Sequence, residues 1–295
     1  MRCAMRLSTP TRSSTHRIAA GAARSPSAVS SQAPSLSKAE GSGERPRLRW
    51  LREIWRSTIG KKLIVAITGV ILAAYVIAHM LGNLKALQGN GDGSEASIDT
   101  YAEWIRSFGE PLIPREGVLW TVRLVLVLAL VIHVAGIVQL IRRNRRARPE
   151  GHRHATVYKR TLSSRTMTAT GFLLLAFIVF HVLQFTTLTI QPTPLVEGDV
   201  YANVYAAFQE WWLVAIYVGA VVLLGFHLRH ALWSVLQTHG FDKPNRNPSF
   251  RRGATGTALL IAVGFAAVPI ALWVGWLPEP SPAGELAQEV REVPR

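Results

Sequence analysis

Four histidines lie where an ionisable side chain is costly, inside long apolar stretches of the chain. His79, His133, His181 and His227 each occupy a separate stretch, and none of these stretches contains Asp or Glu. An ionisable residue in such surroundings is a functional candidate by default. A neutral imidazole offers one nitrogen as an electron-pair donor, which makes histidine the commonest metal ligand. The four residues therefore indicate that the chain holds a metal or a metal-containing cofactor.

The stretches that carry these histidines are long enough to cross a lipid bilayer. A helix needs about 20 predominantly apolar residues to do so. Backbone groups cannot stay unpaired in lipid, so continuous apolar runs predict helices, whereas a barrel would need alternating residues. The sequence therefore predicts an all-α integral membrane protein with five transmembrane helices. The predicted spans are residues 63–81, 117–141, 167–190, 211–237 and 255–277, and the fifth has no histidine.

Composition supports a membrane domain flanked by two tails. Only 17% of the residues are charged, against roughly 25% in soluble domains. Residues 1–44 are rich in Ser, Ala, Arg and Pro without hydrophobic periodicity, which predicts disorder. A transit peptide has a similar composition, but a solvated tail is the preferred interpretation. The five-helix domain then covers residues 45–277, and residues 278–295 form a C-terminal tail.

The segments between the spans fall into two classes that alternate along the chain. Basic residues outnumber acidic ones by seven to one, nine to one and four to one in segments 45–62, 142–166 and 238–254. Acidic residues outnumber basic ones by six to three, three to none and four to two in segments 82–116, 188–210 and 277–295. Because cytoplasmic loops carry the basic excess, the N-terminus is predicted inside and the C-terminus outside. The net charge of +15 is then a matter of topology, and nucleic-acid binding is not expected.

This orientation places the four histidines at two heights. Helices one and three run outward, and the rise per residue puts His79 ~27 Å and His181 ~21 Å from their cytoplasmic ends. Helices two and four run inward, and the same rise puts His133 ~12 Å and His227 ~14 Å from theirs. Each level therefore receives one histidine from each of two helices. His79 and His181 form the outer pair, and His133 and His227 form the inner pair.

A haem with two axial histidines requires this arrangement, because one imidazole nitrogen must approach the iron from each face. Helix bundles build such sites from the inward side chains of facing helices. The single cysteine, Cys3, excludes a CxxCH attachment site, a Cys-ligated iron–sulfur cluster and an intrachain disulfide. The sequence thus predicts two non-covalent b haems in a four-helix bundle. A zinc or copper site is the nearest alternative, although such sites usually add Cys or carboxylate ligands. For any single histidine, the plain alternative is a hydrogen bond to a neighbouring helix.

Other residues have positions suited to a haem site. His230 lies one turn from His227 and is an alternative ligand or a partner for a haem propionate. Small residues leave room for a porphyrin, although they more often serve helix packing; they are Gly69, Gly136, Gly171 and Gly225. Polar or basic residues at cytoplasmic helix ends are candidate propionate partners, with snorkelling as the alternative; they are Ser57, Lys61, Arg142, Arg165 and Arg229.

Several strings follow one another in an order that resembles a known family. They are STIGKKLIVAITG at 57–69, AHMLGNL at 78–84, YAEW at 101–104, NRRARP at 144–149, SRTMTATG at 164–171, FHVLQF at 180–185 and GFHLRHALWSVLQTHG at 225–240. With one histidine per helix, the chain resembles the dihaem cytochrome b subunit (cytochrome b558 type) of bacterial succinate dehydrogenases and fumarate reductases. The resemblance extends over residues 57–277, and no single string in it is diagnostic.

The resemblance implies a function and partners. The family's haem ligands fall on His79, His133, His181 and His227, and its pairing agrees with the heights. The subunit would anchor a flavoprotein subunit and an iron–sulfur subunit and pass electrons through its haems to quinone, with menaquinone favoured. It would lie in a bacterial cytoplasmic membrane and would not itself act on succinate. Some fumarate reductases of this type carry a carboxylate in the fourth helix. None lies between Trp211 and Gln237, which puts a proton path there in doubt.

Two other functions fit part of the pattern. A dihaem cytochrome b of a hydrogenase or formate dehydrogenase would show the same histidines with different loop strings. A haem-free helical transporter or scaffold would show the spans without a need for paired histidines. The sequence does not locate the quinone site and does not fix the direction of electron flow.

Overall fold

The computed structural model of this chain describes residues 53–89, 96–146, 162–238 and 248–280, and for 162–165 and 237–238 it describes the backbone alone. The N-terminal tail predicted at 1–44 and most of the C-terminal tail lie outside these residues. Within the described ranges the chain forms helices and no strand. The helices of ten or more residues are α1 (Thr58–Asn83), α2 (Ser97–Ser107), α3 (Gly117–Arg146), α4 (Leu162–Phe185), α5 (Val200–Gln209), α6 (Trp211–Thr238) and α7 (Pro248–Trp273).

Five of these helices, α1, α3, α4, α6 and α7, are long and apolar enough to cross a membrane. Many of their large apolar side chains are exposed on the surface of the bundle, which would be unfavourable in water. In α3 only 11% of the most apolar window is buried, and Leu124, Val127 and Leu128 are each more than 60% exposed. Large contiguous apolar surfaces mark membrane or protein contact. The predicted all-α membrane fold with five spans is therefore confirmed.

The helix ends differ from the predicted spans for two physical reasons. α1 and α7 begin before their apolar runs because basic and polar residues continue the hydrogen-bonded helix beyond the lipid-crossing part. Ser57 caps α1, and its hydroxyl accepts a bond from the Gly60 N–H at 2.8 Å. The third span was predicted to reach residue 190, but α4 ends at Phe185. Leu188 has a φ of 51°, and the chain turns back there so that the Ile190 N–H reaches the Leu183 carbonyl.

The acidic segments come together at one end of the bundle. The Asp99 carboxylate, in the first turn of α2, accepts bonds from the backbone N–H groups of Val200 at 2.7 Å and Tyr201 at 3.1 Å, at the start of α5. The Tyr201 hydroxyl donates to the Pro278 carbonyl at 2.8 Å. Three segments that lie far apart in the sequence thus form one structure, here called the acidic cap (residues 96–107, 199–209 and 277–280).

The basic segments meet at the opposite end. The Arg143 guanidinium, near the end of α3, donates to the Arg56 carbonyl just before α1 at 2.9 Å. Exposed Trp211, Trp273 and Trp276 lie at the end that carries the acidic cap, where an interfacial aromatic belt is expected. Within the described residues, the acidic segments and the ends of two basic segments thus lie at opposite ends of the bundle.

The histidine-bearing helices pack as two hairpins. α1 packs closely on α3, and α4 packs closely on α6. Contact between the hairpins is looser and runs mainly through α1 and α6. α7 lies along α6 and also touches α1, and Met80, Leu228 and Ile261 form a buried cluster where these three helices meet. The interior between the two hairpins is where the histidines lie.

Candidate functional site

The outer pair of histidines meets across the two hairpins. The ring centroids of His79, on α1, and His181, on α4, are 5.8 Å apart with an interplanar angle of 72°. α1 and α4 do not pack closely on each other, so the two imidazoles reach across the interior. Each ring stacks on an aromatic residue one turn earlier, Tyr75 at 5.3 Å and Phe177 at 5.9 Å. Phe265 of α7 lies 5.8 Å from His79 and closes the site on that side.

Tyr217, on α6, lies at hydrogen-bond distance from the imidazole of His181, a member of the outer pair. Its hydroxyl donates to the Gln184 Oε1 atom at 2.8 Å and lies 3.2 Å from His181 Nδ1. A hydroxyl has one proton, and here that proton is directed to Gln184. With that proton on Gln184, the Tyr217 oxygen is available to accept a bond from a His181 Nδ1–H, and this tautomer has no proton on the His181 Nε2 atom.

His133, on α3, contacts α1 through its Nδ1 atom. Its Nδ1 atom lies 3.2 Å from the Val65 carbonyl oxygen and 3.2 Å from the Thr68 hydroxyl. A carbonyl only accepts, and the Thr68 hydroxyl donates to the Ile64 carbonyl at 2.8 Å. The His133 Nδ1 atom is therefore the donor. The ring rests on Gly69, where an added Cβ would lie 3.3 Å from the ring Cε1 atom.

His227, on α6, repeats this arrangement against α4. Its Nδ1 atom lies 3.4 Å from the Thr170 hydroxyl, which donates to the Met167 carbonyl at 3.1 Å. An added Cβ at Gly171 would lie 3.4 Å from the His227 Cε1 atom. The imidazoles of the inner pair, His133 and His227, are thus each held by the Thr–Gly step of a neighbouring helix, and the two rings do not contact each other.

The two arrangements derive from an internal repeat in the sequence. TGVILAAYVIAH at 68–79 and TGFLLLAFIVFH at 170–181 share threonine, glycine, alanine, an aromatic residue and histidine at the same spacing. In both repeats the Thr–Gly step receives the histidine of the following long helix, His133 or His227. Sequence reasoning missed the two threonines, Tyr217 and Gln184. Comparing the chain with itself would have found the threonines, whereas nothing in the local sequence marks the other two.

The four glycines predicted to make room divide into two kinds. Gly69 and Gly171 lie under imidazoles, as described above. Gly136 faces Val65, and Gly225 faces Ala262 on α7, so both lie at contacts between helices. Small residues at such contacts let membrane helices approach closely. Gly69 and Gly171 therefore contact two of the candidate ligand histidines, whereas Gly136 and Gly225 contact other helices.

The residues proposed as propionate partners have different surroundings. Ser57 uses its hydroxyl to cap α1 and to donate to a backbone carbonyl. The Arg229 Nε–H donates to the Thr255 hydroxyl on α7 at 3.0 Å. Arg142, near the end of α3, is exposed. The side chain of Arg165 lies outside the described residues. None of the three described side chains is thereby placed against the inner histidines.

Lys61 is different because it is enclosed. It is 8% exposed and is the one charged residue among the buried side chains that the structure describes. No hydrogen bond or ion pair of its ammonium group is found among the described residues. Its Nζ atom is not among the fully buried unpaired polar atoms of the described residues. The stem of Lys61 is therefore enclosed while its charge remains available to a carboxylate at this end of the bundle.

His230 lies beside Trp233, with the two ring centroids 6.3 Å apart, and its Nδ1 atom is buried without a hydrogen-bond partner among the described residues. It lacks the helix-to-helix hydrogen bond that His227 makes. The geometry therefore favours His227 as the ligand on α6.

These residues fit a haem with two axial histidines. For His133 the Val65 carbonyl, which only accepts, fixes the proton on Nδ1 and leaves Nε2 with its lone pair. The Thr170 and Tyr217 hydroxyls, which donate to Met167 and Gln184, offer the same arrangement to His227 and His181. A second-shell bond from the other ring nitrogen typically orients a metal-ligating histidine. Among the described residues, no group of three or more His, Cys, Asp or Glu side chains could hold a metal ion. A haem needs only two histidines as axial ligands, which is fewer than the three side chains of such a group.

A cavity of about 490 Å³ lies between α3 and α4 on another face. At 100° per residue its wall on α3 faces away from His133, and none of the four histidines lines it. It is therefore not the histidine site. Its lining residues are Leu130, Val131, Val134, Ala135, Val138, Gln139, Arg142 and Leu175.

Comparisons of the chain with protein-family models, curated proteins and solved structures found no match. The candidate site is therefore interpreted from the geometry of this chain and from the ordered strings that it contains.

Proposed function

We propose that this chain is a dihaem cytochrome b that carries electrons within a membrane. His79 and His181 would hold the outer haem, and His133 and His227 the inner one. One observation carries the proposal: the Nδ1 atoms of three of the four imidazoles lie at hydrogen-bond distance from carbonyl or hydroxyl oxygens, an arrangement that leaves Nε2 available as a metal ligand. Histidines that served only as hydrogen-bond partners of a neighbouring helix would not need to occur in pairs, with the two members of each pair on different helices.

The residues of the chain have distinct tasks in this function. The four histidines bind iron, while Thr68, Thr170 and Tyr217 orient three of the imidazoles. The apolar helices keep water from the two sites. Lys61 supplies a positive charge for a carboxylate at the basic end. A haem bound at each site would supply reversible one-electron transfer.

The proposal extends to a membrane-anchor subunit of succinate dehydrogenase. The ordered strings between residues 57 and 277, with one histidine on each of four helices, support it. The chain would then pass electrons from an iron–sulfur subunit, which is itself bound to a flavoprotein subunit, through two b haems to quinone. The proposed location is a bacterial cytoplasmic membrane with the basic end inside, where the two subunits would dock. The excess of basic over acidic residues at that end suits docking, although topology alone would require most of it.

Purification of the full chain from membranes tests the haem content. A pyridine haemochrome assay against protein mass should give two haem b per chain, because each histidine pair provides one site. A ratio near zero, or haem c, would refute the proposal and would favour a haem-free transporter or scaffold.

Co-purification tests the partner assignment separately. Mild solubilisation should retain a flavoprotein subunit and an iron–sulfur subunit with succinate dehydrogenase activity. Recovery of hydrogenase or formate dehydrogenase subunits would overturn the assignment to succinate dehydrogenase and would leave the dihaem function standing.

A further inference from the structure

The outer pair of histidines is asymmetric in a way that the inner pair is not. His133 and His227 make equivalent bonds to the threonines of the two repeats. Of the outer pair, His181 is bonded to Tyr217 at 3.2 Å, whereas His79 makes ring contacts and, among the described residues, no side-chain hydrogen bond.

The asymmetry originates at one position of the repeated hairpin. Tyr217 lies ten residues before His227, and the residue ten before His133 is Arg123. The Arg123 guanidinium lies 4.8 Å over the Trp120 ring and not on an imidazole. The two hairpins are therefore alike in what they provide to the inner pair and different in what they provide to the outer pair.

Gln184 completes a chain of three groups that is shielded from solvent. Its side chain is 0% exposed, and its Oε1 atom takes the Tyr217 proton at 2.8 Å. Its Nε2 atom is buried without a partner among the described residues. This arrangement costs free energy, because a buried donor without a partner has lost its hydrogen bonds to water. The reverse orientation of this amide would release the Tyr217 proton toward His181 Nδ1. His181 would then carry its own proton on Nε2 and could not bind a metal through that atom.

We propose that Tyr217 and Gln184 are positioning residues that set the reduction potential of the outer iron centre through the Nδ1 proton of His181. This inference rests on the proposed haem-binding function and adds a tuning element to it. A hydrogen bond from the distal ring nitrogen makes the imidazole a stronger donor to the metal, and second-shell hydrogen bonds of this kind are one determinant of haem potentials. The bond to Tyr217 therefore favours the ferric state and lowers the potential of the outer haem.

The test is an optical redox titration of the full chain in membranes, with Tyr217→Phe and Gln184→Leu as the test variants. Tyr217→Phe keeps the ring and removes only the hydroxyl. Its outer haem should be easier to reduce by on the order of tenfold, which is about 59 mV for a one-electron couple, while the inner haem is unchanged. Gln184→Leu should shift the same haem in the same direction by less, because the Tyr217 oxygen remains as an acceptor.

Tyr75→Phe is the matched control. It removes a hydroxyl from a ring stacked on His79, the other histidine of the same pair, without removing a bond to an imidazole, so the potential should not move. The ferric EPR signal of the outer haem gives a second readout, which should change in Tyr217→Phe and not in Tyr75→Phe.

Several outcomes would overturn the inference. One is an unshifted outer haem in Tyr217→Phe with both haems present, and another is an equal shift in Tyr75→Phe; the proposed function would survive both. If Tyr217→Phe loses the outer haem, Gln184→Leu decides, and an unshifted potential in that variant rejects the inference. A wild-type chain without haem rejects both the inference and the proposed function.

Discussion

The position of one proton decides what each of the four histidines is able to do. A neutral imidazole has one nitrogen that donates and one that accepts. Carbonyl and hydroxyl oxygens lie beside the Nδ1 atoms of His133, His181 and His227, so Nε2 faces away from the supporting helix. Residue types and spacing predicted the four histidines and their two levels. They did not predict the contacts of the Nδ1 atoms, because these depend on Thr68, Thr170 and Tyr217 on other helices.

Single replacements of the histidines test how they pair. His79→Ala and His181→Ala should each damage the same outer haem, because their rings are 5.8 Å apart. His133→Ala and His227→Ala should damage the same inner haem. Low-temperature optical spectra of membranes distinguish the two centres. His230→Ala is the control and should keep both haems. The pairing is wrong if His79→Ala and His133→Ala abolish one and the same signal while His181→Ala spares it.

Added volume under an imidazole tests the inner site without removing a ligand. Gly69→Val and Gly171→Val would introduce a Cβ at 3.3 and 3.4 Å from the Cε1 atoms of His133 and His227, with two methyl groups beyond it. Each variant should lose the inner haem and keep the outer one, as measured by haemochrome content and optical spectra. Gly219→Val is the matched control, because an added Cβ there meets nothing within 4 Å. Equal loss in all three variants would mean that the helices, not the imidazoles, are disturbed.

At the scale of the helices, apolarity predicted where the chain crosses a membrane and not where the helices end. Span four was predicted to begin at Trp211, and α6 begins there. Residues 186–190 read as a continuation of the third helix because they are mostly apolar or β-branched, yet the positive φ of Leu188 ends that path. The short helices α2 and α5 were not predicted. Acidic residues mark them, with Asp199 as the N-cap of α5 and Asp99 in the first turn of α2.

The acidic cap depends on Asp99, because this carboxylate satisfies two backbone N–H groups at the start of α5. Asp99→Ala should lower the free energy of unfolding by about 1–3 kcal/mol, since hydrogen bonds to a charged group are lost. Thermal denaturation in detergent measures the change. Glu103→Ala on the same helix is the control. Its ion pair with Arg115 at 2.7 Å is exposed and contributes about 0–1 kcal/mol. Equal effects of the two variants would contradict this role of Asp99.

At the scale of the whole molecule, the bundle is two related hairpins with α7 packed against them. α1 and α4 have matching roles, because each carries a Thr–Gly step and one histidine of the outer pair. α3 and α6 also match, because each carries one histidine of the inner pair. This repeated arrangement accounts for the occurrence of the histidines in two pairs at two heights. The sequence predicted the pairs from the direction of each helix and the rise per residue. It did not predict the acidic cap, because the bonds from Asp99 to α5 and from Tyr201 to Pro278 join residues that are distant in sequence.

The orientation of the whole molecule gives the last prediction. Reporter fusions at Gly93, Glu150, Glu197 and Arg295 should read outside, inside, outside and outside, because the basic segments are expected in the cytoplasm. The bond between Asp99 and Val200 ties the first and third fusion sites to segments at one end of the bundle. Opposite signals from these two fusions would therefore contradict the fold itself.

The Glu150 fusion separates fold from orientation. If the first and third fusions both report the cytoplasm while Glu150 reports the outside, the fold stands and the orientation is reversed. That result would move the His79–His181 pair to the cytoplasmic half of the membrane. Electrons from a cytoplasmic iron–sulfur partner would then enter at the pair held by Tyr217, and not at the pair held by the two Thr–Gly steps.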